Sequence, residues 1–412
     1  MSDSDLGTGI RVQVSPGKPV AGRRKARSGR WRWLARGLLV LCFAGAFFCS
    51  VFPDGRAAVR ALTILPDILS ASHPAWQKPV VEPVTRTRET LPSASGTVFL
   101  DVYAPAAGVP PVPGSREAML VITGVGDNRE EPQVVNFLQT LARAGIVVMD
   151  VTTPALIADR VDAVDRDAVV QAFRHLQHWP SVGATRVGMF GISAGSALIC
   201  LAAADSRIRD QVAFISLLGP YFDTTTLLET LGRRGQTLDG KLQPWQPVAV
   251  PLQALSSTIA PYLPAGDGAI LVNAFASYPA SALNAEQLAQ LAPESTAIYH
   301  LLAGDQPGRV AANLAALTPQ LRAALISLSP SSVVGQLRAP LYLLHDRNDQ
   351  FVPVSESREF AAALARLHRV YDFAEFGIFQ HADVRAGVGP FQLLGDGQNL
   401  FRLLSKVAQA GS

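Results

Sequence analysis

Short runs of strand-like composition recur along this chain, each followed by a stretch with helical spacing, and that alternation limits the folds open to it. Residues 118–122 read Ala-Met-Leu-Val-Ile, a continuous apolar run of the kind expected for a strand buried on both faces. Similar runs occupy 146–151, 185–190 and 212–218, and 97–103 has strand composition. Between them lie helical patterns over 132–144, ended by Gly145, and over 159–179 and 193–204. Strand and helix in alternation predict the α/β class: a mostly parallel sheet with helices on both faces.

The alternation stops at Gly219-Pro220 and resumes with a strand at 340–345, a helix at 355–367, a strand at 370–376 and a last helix over 391–407. The intervening block, residues 220–338, is rich in Leu, Ala, Gln, Thr and Pro and shows helical patterns at 225–233, 252–263, 285–291, 309–317 and 319–328. A structureless loop of that length does not suit a compact domain. The expected plan is therefore a core in two parts, 96–219 and 339–412, with an inserted helical cap at 220–338 and a linker at 54–95 leading in.

The N-terminus reads differently. Residues 1–30 are polar, rich in Gly, Ser and Arg, and predict a disordered basic tail. Residues 37–52 are sixteen residues without a charge. A helix across the hydrocarbon layer needs about 20 apolar residues, and Trp31, Trp33 and Leu34 can extend the run, with Arg36 snorkelling. The arginines before it (Arg23, Arg24, Arg27, Arg30 and Arg32) place the N-terminus in the cytoplasm. The expectation is a membrane anchor at 31–53 with the folded domain extracytoplasmic; the alternative is a cleaved signal segment and a secreted protein. A buried core helix is disfavoured by the flanking charges.

The basic excess is confined to this tail. The net charge of +3 is small for 412 residues, and acids and bases are mixed elsewhere, so nothing points to nucleic acid as a partner. Cys42 and Cys49 lie in the apolar segment and Cys200 stands alone in the globular part, which excludes an internal disulfide there. No Cys/His group has zinc-ligand spacing, and neither a metal nor an organic cofactor is implied.

The strongest local motif is Gly191-Ile192-Ser193-Ala194-Gly195, after an expected strand and opening an expected helix. In that context Gly-x-Ser-x-Gly predicts a nucleophile elbow, with Gly191 and Gly195 letting strand and helix approach closely. The backbone N–H of Ala194, the residue after the serine, is the first candidate donor to an oxyanion. A serine hydroxyl needs a base and the base an orienting acid. Of seven histidines, His381 lies in a loop after the last expected strand, where it opens toward the same sheet edge as Ser193. His345, at the end of an earlier strand, is the alternative. The segment His345-Asp346-Arg347-Asn348-Asp349 supplies two candidate acids, Asp346 and Asp349, and Asp223 is a more distant third.

This last segment, continuing to Val352-Pro353, resembles the His-Gly-x-x-Asp-x-x-Val-Pro stretch of many α/β-hydrolases. The resemblance implies Asp349 as the triad acid, with Asp346 standing where glycine is usual. Likewise Thr123-Gly124-Val125 resembles the family's His-Gly-x loop, which implies the Val125 N–H as the second oxyanion donor. The likeness spans residues 95–410 and falls on the dienelactone-hydrolase and acyl-peptidase side of the superfamily, with Ser in place of Cys. It implies the α/β-hydrolase fold and a serine hydrolase acting on an ester-like bond in a small-molecule or lipid-like acyl substrate. A peptidase or acyltransferase using the same triad, or a non-catalytic binding module, are the alternatives, and oligomeric state is left open. Cap aromatics Tyr221, Phe222, Trp245, Tyr262, Phe275 and Tyr278 would either line an acyl pocket or pack the cap's own core.

Overall fold

The computed structural model describes Ala61 and residues 83–106, 116–377, 379–380, 383–384 and 390–410. The expected tail and anchor, 1–53, lie outside the described residues; among those described, no helix is long and apolar enough to cross a membrane.

Eight strands form one sheet: β1 (Val84–Ser93), β2 (Gly96–Pro105), β3 (Arg116–Ile122), β4 (Val147–Thr152), β5 (Val182–Ile192), β6 (Val212–Leu218), β7 (Leu341–Asp346) and β8 (Tyr371–Phe376). Their spatial order is β1-β2-β4-β3-β5-β6-β7-β8. β1 and β2 are antiparallel, as are β2 and β4, and every other pairing is parallel. The result is an α/β architecture with a mostly parallel sheet.

Alternate residues of each strand point to opposite faces. Val147, Met149 and Val151 of β4 join Ala168 and Phe173 of α2 (Asp165–Gln177), Ile199 of α3 (Ala194–Ala203) and Phe360 of α8 (Val354–Arg366) on one face. Val148 turns to the other, where Leu138 of α1 (Pro132–Arg143) and Leu403 of α9 (Pro390–Ala410) cover it. Each fully buried leucine contributes about 2 kcal/mol.

Residues 84–93, expected to belong to the linker, are strand β1. The ten-residue strand alternates half-buried and exposed positions, as an edge strand does. Its outward-looking arginines earn their place across the pairing: Arg86 donates to both carboxylate oxygens of Asp101 on β2, and Arg88 approaches the same carboxylate at 3.3 Å. That acid stands directly opposite Asp150 of β4 in the register. Asp150 is buried, and neither of its carboxylate oxygens makes a hydrogen bond among the described residues.

The inserted block carries α4 (Thr224–Arg233), α5 (Ala249–Ile259), α6 (Asp267–Phe275) and α7 (Pro293–Ala303), with further short helices. Leu231, Ile259, Leu271, Phe275 and Leu301 pack its core. α6 and α7 were not among the expected helices, and a two-stranded hairpin, Gly235–Leu238 with Lys241–Pro244, interrupts the helical pattern. Its turn is Asp239-Gly240, both at positive φ (52° and 74°), the pair a tight two-residue hairpin demands.

Burial, with like-charged Asp101 and Asp127 adding to it and Arg86 and Arg129 opposing, pushes the Asp150 carboxyl up to about 7. The folded chain therefore holds a proton that the unfolded chain releases near the ordinary carboxylate pKa of about 4. Stability falls as pH rises between those two values and levels off above them. Asp150→Asn is expected to flatten that slope and to raise stability at pH 8 by on the order of 2 kcal/mol, with a smaller effect at pH 5. Urea unfolding at the two pH values measures it; an unchanged slope contradicts it.

Candidate active site

Five parallel strands, β3, β5, β6, β7 and β8, end level with one another. Ile122 pairs with Gly191, Ile192 with Leu218, Leu218 with Leu344, and Phe376 with Asp346. The loops that follow all issue from the same edge, where open α/β sheets bind their ligands.

Ser193 occupies the turn between β5 and α3, at φ 51° and ψ −124°. A side chain in that region costs on the order of 1–3 kcal/mol and persists only where its surroundings impose it. Here they do. A Cβ on Gly191 would lie 2.6 Å from Ser196 Cα, and one on Gly195 would lie 2.2 Å from the Thr123 carbonyl oxygen and 2.4 Å from that of Ile122. Strand, helix and the end of β3 thus meet backbone to backbone. The Ser193 N–H donates to the Leu218 carbonyl at 2.9 Å, tying the turn to β6 as well. Ala194 is the first residue of α3, where N–H groups have no intrahelical acceptor.

The Thr123-Gly124-Val125 loop lies against this turn: a Cβ on Gly124 would be 3.7 Å from Ser193 Cβ. Asn128, a residue given no role from sequence, holds the loop. Its side-chain amide donates to Thr123 Oγ1, the Gly124 carbonyl and the Val125 carbonyl at 3.1–3.3 Å. The Gly126 N–H donates to Leu156 from the other side. Both candidate donors, Val125 and Ala194, therefore sit on segments that touch at Ser193.

Asp349 lies in the loop after β7 and is buried. Its Oδ1 accepts from the N–H groups of Phe351 (2.7 Å) and Val352 (3.1 Å). His345 is beside it, with Nε2 3.5 Å from Asp349 Oδ2, but the imidazole is wholly buried and engaged at both nitrogens. Nε2 is 2.9 Å from the Val352 carbonyl, which can only accept, so Nε2 carries a proton there, and Nδ1 is 2.7 Å from the Ser357 hydroxyl. His345 thus braces the Asp349 loop from below.

The competing acids have other partners. Asp346 Oδ1 accepts from the Asn348 N–H. Asp223 caps α4 through the Thr225 N–H and accepts from Ser331 Oγ. His381 lies outside the described residues; it follows β8, and the backbone on either side of it, Phe379–Gln380 and Asp383–Val384, pairs antiparallel. Of the cap aromatics, Tyr221, Phe222, Trp245 and Phe275 are buried in packing, while Tyr262 and Tyr278 are exposed. Among the described residues no group of His, Cys, Asp and Glu could hold a metal ion.

The strand order and the elbow turn define the α/β-hydrolase fold. No family model matches the sequence, and no curated protein matches it. Solved structures similar to it include a puromycin-hydrolyzing peptidase of Mycobacterium tuberculosis, 18% identical over 79% of this chain and 40% of that one, with a TM-score of 0.47. An acylaminoacyl peptidase in complex with Z-Gly-Gly-Phe-chloromethyl ketone is 12% identical over 79% of this chain and 42% of its own, at a TM-score of 0.46. Brefeldin A esterase, a bacterial homologue of human hormone sensitive lipase, is 16% identical over 85% of this chain and 86% of its own, at 0.45. The chain thus spans less than half the length of the peptidases.

The crowding at Gly195 makes a direct prediction. Gly195→Ala should force α3 away from the end of β3 and cost about 3 kcal/mol of stability. An unchanged urea midpoint would contradict this account of the turn.

Proposed function

We propose that this protein is a serine hydrolase that cleaves a carboxylic ester-like bond through an acyl-enzyme, with Ser193 as nucleophile, His381 as base and Asp349 as acid. The observation that carries the reading is the strained backbone of Ser193, held between β5 and α3 with the Thr123-Gly124-Val125 loop against it. A turn that keeps a serine in this conformation projects its hydroxyl away from the sheet, over a helix N-terminus whose partial positive charge favours an anion.

In this reading His381 takes the Ser193 proton as Oγ attacks the carbonyl carbon. The N–H groups of Val125 and Ala194 receive the oxyanion of the tetrahedral intermediate. Asp349 keeps the imidazole in its working tautomer and stabilises the imidazolium. His381 then protonates the leaving alcohol, and water, activated by the same imidazole, releases the acid. Two main-chain N–H groups, of Phe351 and Val352, anchor Asp349 Oδ1 and support its role as a fixed acid in this reading.

A fluorophosphonate probe is expected to label the full chain, and Ser193→Ala to abolish labelling. Ser193→Ala and His381→Ala should each lower hydrolysis of a short p-nitrophenyl ester by at least about 10³-fold. The matching p-nitroanilide separates ester from amide chemistry. Folded protein that takes no label would instead be a binding module on the hydrolase scaffold, and activity that survives His381→Ala would displace that residue as base.

We also propose that residues 31–53 anchor the chain in the membrane with the hydrolase domain outside the cytoplasm. The support is the arginine-rich flank before sixteen uncharged residues. The full chain should sediment with membranes and resist carbonate extraction, and external protease should reach the domain in intact cells. Recovery of a soluble product whose N-terminus follows the small-residue stretch Ala44-Gly45-Ala46 would show cleavage in place of anchoring.

A further inference from the structure

The cap is joined to the core at the loop after β7. Its hairpin and the segment after it lie on the loop that carries Asp349 and on the start of α8. The Trp245 indole Nε1 donates to the main-chain carbonyl of Asp349 itself, at 2.6 Å. Three residues on, the Val248 N–H donates to the Gln350 carbonyl at 3.1 Å. From the hairpin, Gln236 Oε1 accepts from the Ser355 N–H at 3.2 Å, and Asp239 pairs with Arg358. Trp245 is buried, its ring packs in the cap's apolar core, and Val352 of the acid loop belongs to that same core.

These contacts grip the Asp349 loop in addition to the bond that His345 makes to it. His345 holds Val352 from within the sheet layer, while Trp245 holds Asp349 from the cap. Two rings, one from each part of the protein, thus bond to main-chain carbonyls of the acid loop. A carboxylate that must keep an imidazole in one tautomer works only if its position is constrained to a few tenths of an ångström. The tight type I′ turn at Asp239-Gly240 gives the hairpin the shape to reach back to the core.

We propose that Trp245 is a positioning residue: the cap sets the place of the acid through the indole N–H, so the cap is part of the catalytic apparatus and not only a cover over the substrate. This rests on the reading of Asp349 as the acid.

The test uses the full chain with Trp245→Phe, and a second variant with 3-benzothienylalanine in place of Trp245, which keeps the ring's size and packing and removes only the N–H. Both are compared with Asp349→Asn on a short p-nitrophenyl ester. Loss of one neutral hydrogen bond to the acid's backbone should lower kcat by about tenfold. KM should stay within about twofold, since the contact touches no substrate. An imidazolium less well supported by its carboxylate loses its proton more readily, so the acid limb of the kcat/KM profile should move to lower pH. A benzothienylalanine variant with wild-type kcat and an unmoved acid limb overturns the proposal. So does a loss confined to KM, which would make Trp245 a substrate contact. If Asp349→Asn itself keeps its activity, the reading of the acid fails and the positioning role with it. An inactive Asp349→Asn beside an unaffected Trp245 variant would leave the acid standing and remove the clamp alone.

Discussion

The backbone contact between the end of β3 and the first turn of α3 is the constraint on which the candidate site depends. With no side chain at Gly195, the carbonyls of Ile122 and Thr123 sit within van der Waals distance of the helix start. That closeness has two consequences. It forces the chain at Ser193 into a conformation that a serine adopts only under compulsion, and it brings the loop after β3 beside the serine. The strain at the nucleophile and the placement of the two candidate oxyanion donors are therefore one packing event. Asn128 then stiffens the loop by bonding to three of its polar groups at once.

The acid loop is built on a different principle. Its carboxylate is anchored by N–H groups of its own turn, and two main-chain carbonyls of that loop are bonded to the rings of Trp245 and His345. The buried His345 shows how a residue type associated with catalysis can serve as a brace: with both nitrogens engaged and no exposure, it has no free lone pair to offer a serine. Another buried acid, Glu356, acts at the mouth of the insertion. It accepts from the N–H groups of Phe222 and Asp223 and from Thr226 Oγ1, stitching the start of the cap to α8. Burial pushes its carboxyl up to about 7. The insertion is thus tied to the second half of the core at its entrance by Glu356 and at its hairpin by the acid loop.

The sheet has its own asymmetry. On the side of β5 to β8 it is parallel, whereas β1 and β2 close the other side as an antiparallel pair held by Arg86, Arg88 and Asp101. Edge strands with charged outward positions resist pairing with other chains. The pairing of β2 with β4 places a like-charged carboxylate, Asp101, opposite Asp150, at a cost in stability.

The amino-acid order alone determined the features that depend on neighbours in sequence. Alternating apolar runs and helical spacing marked the parallel strands and the core helices, because burial of a strand or a helix face writes its period locally. The strand–turn–helix around Gly191 and Gly195 was legible for the same reason; the hairpin turn at Asp239-Gly240 was missed, because its short flanking strands show no clear alternation. Tertiary structure alone decided the rest. β1 reads as a proline-flanked, arginine-bearing stretch until Asp101 is placed beside it. His345 is chemically indistinguishable from a base until the sheet buries it. Asn128 shows no role until its amide meets the loop. Trp245 lies 104 residues before the aspartate whose carbonyl it holds. Such contacts arise from the closing of long loops, and no local period or propensity records which residues those closures bring together.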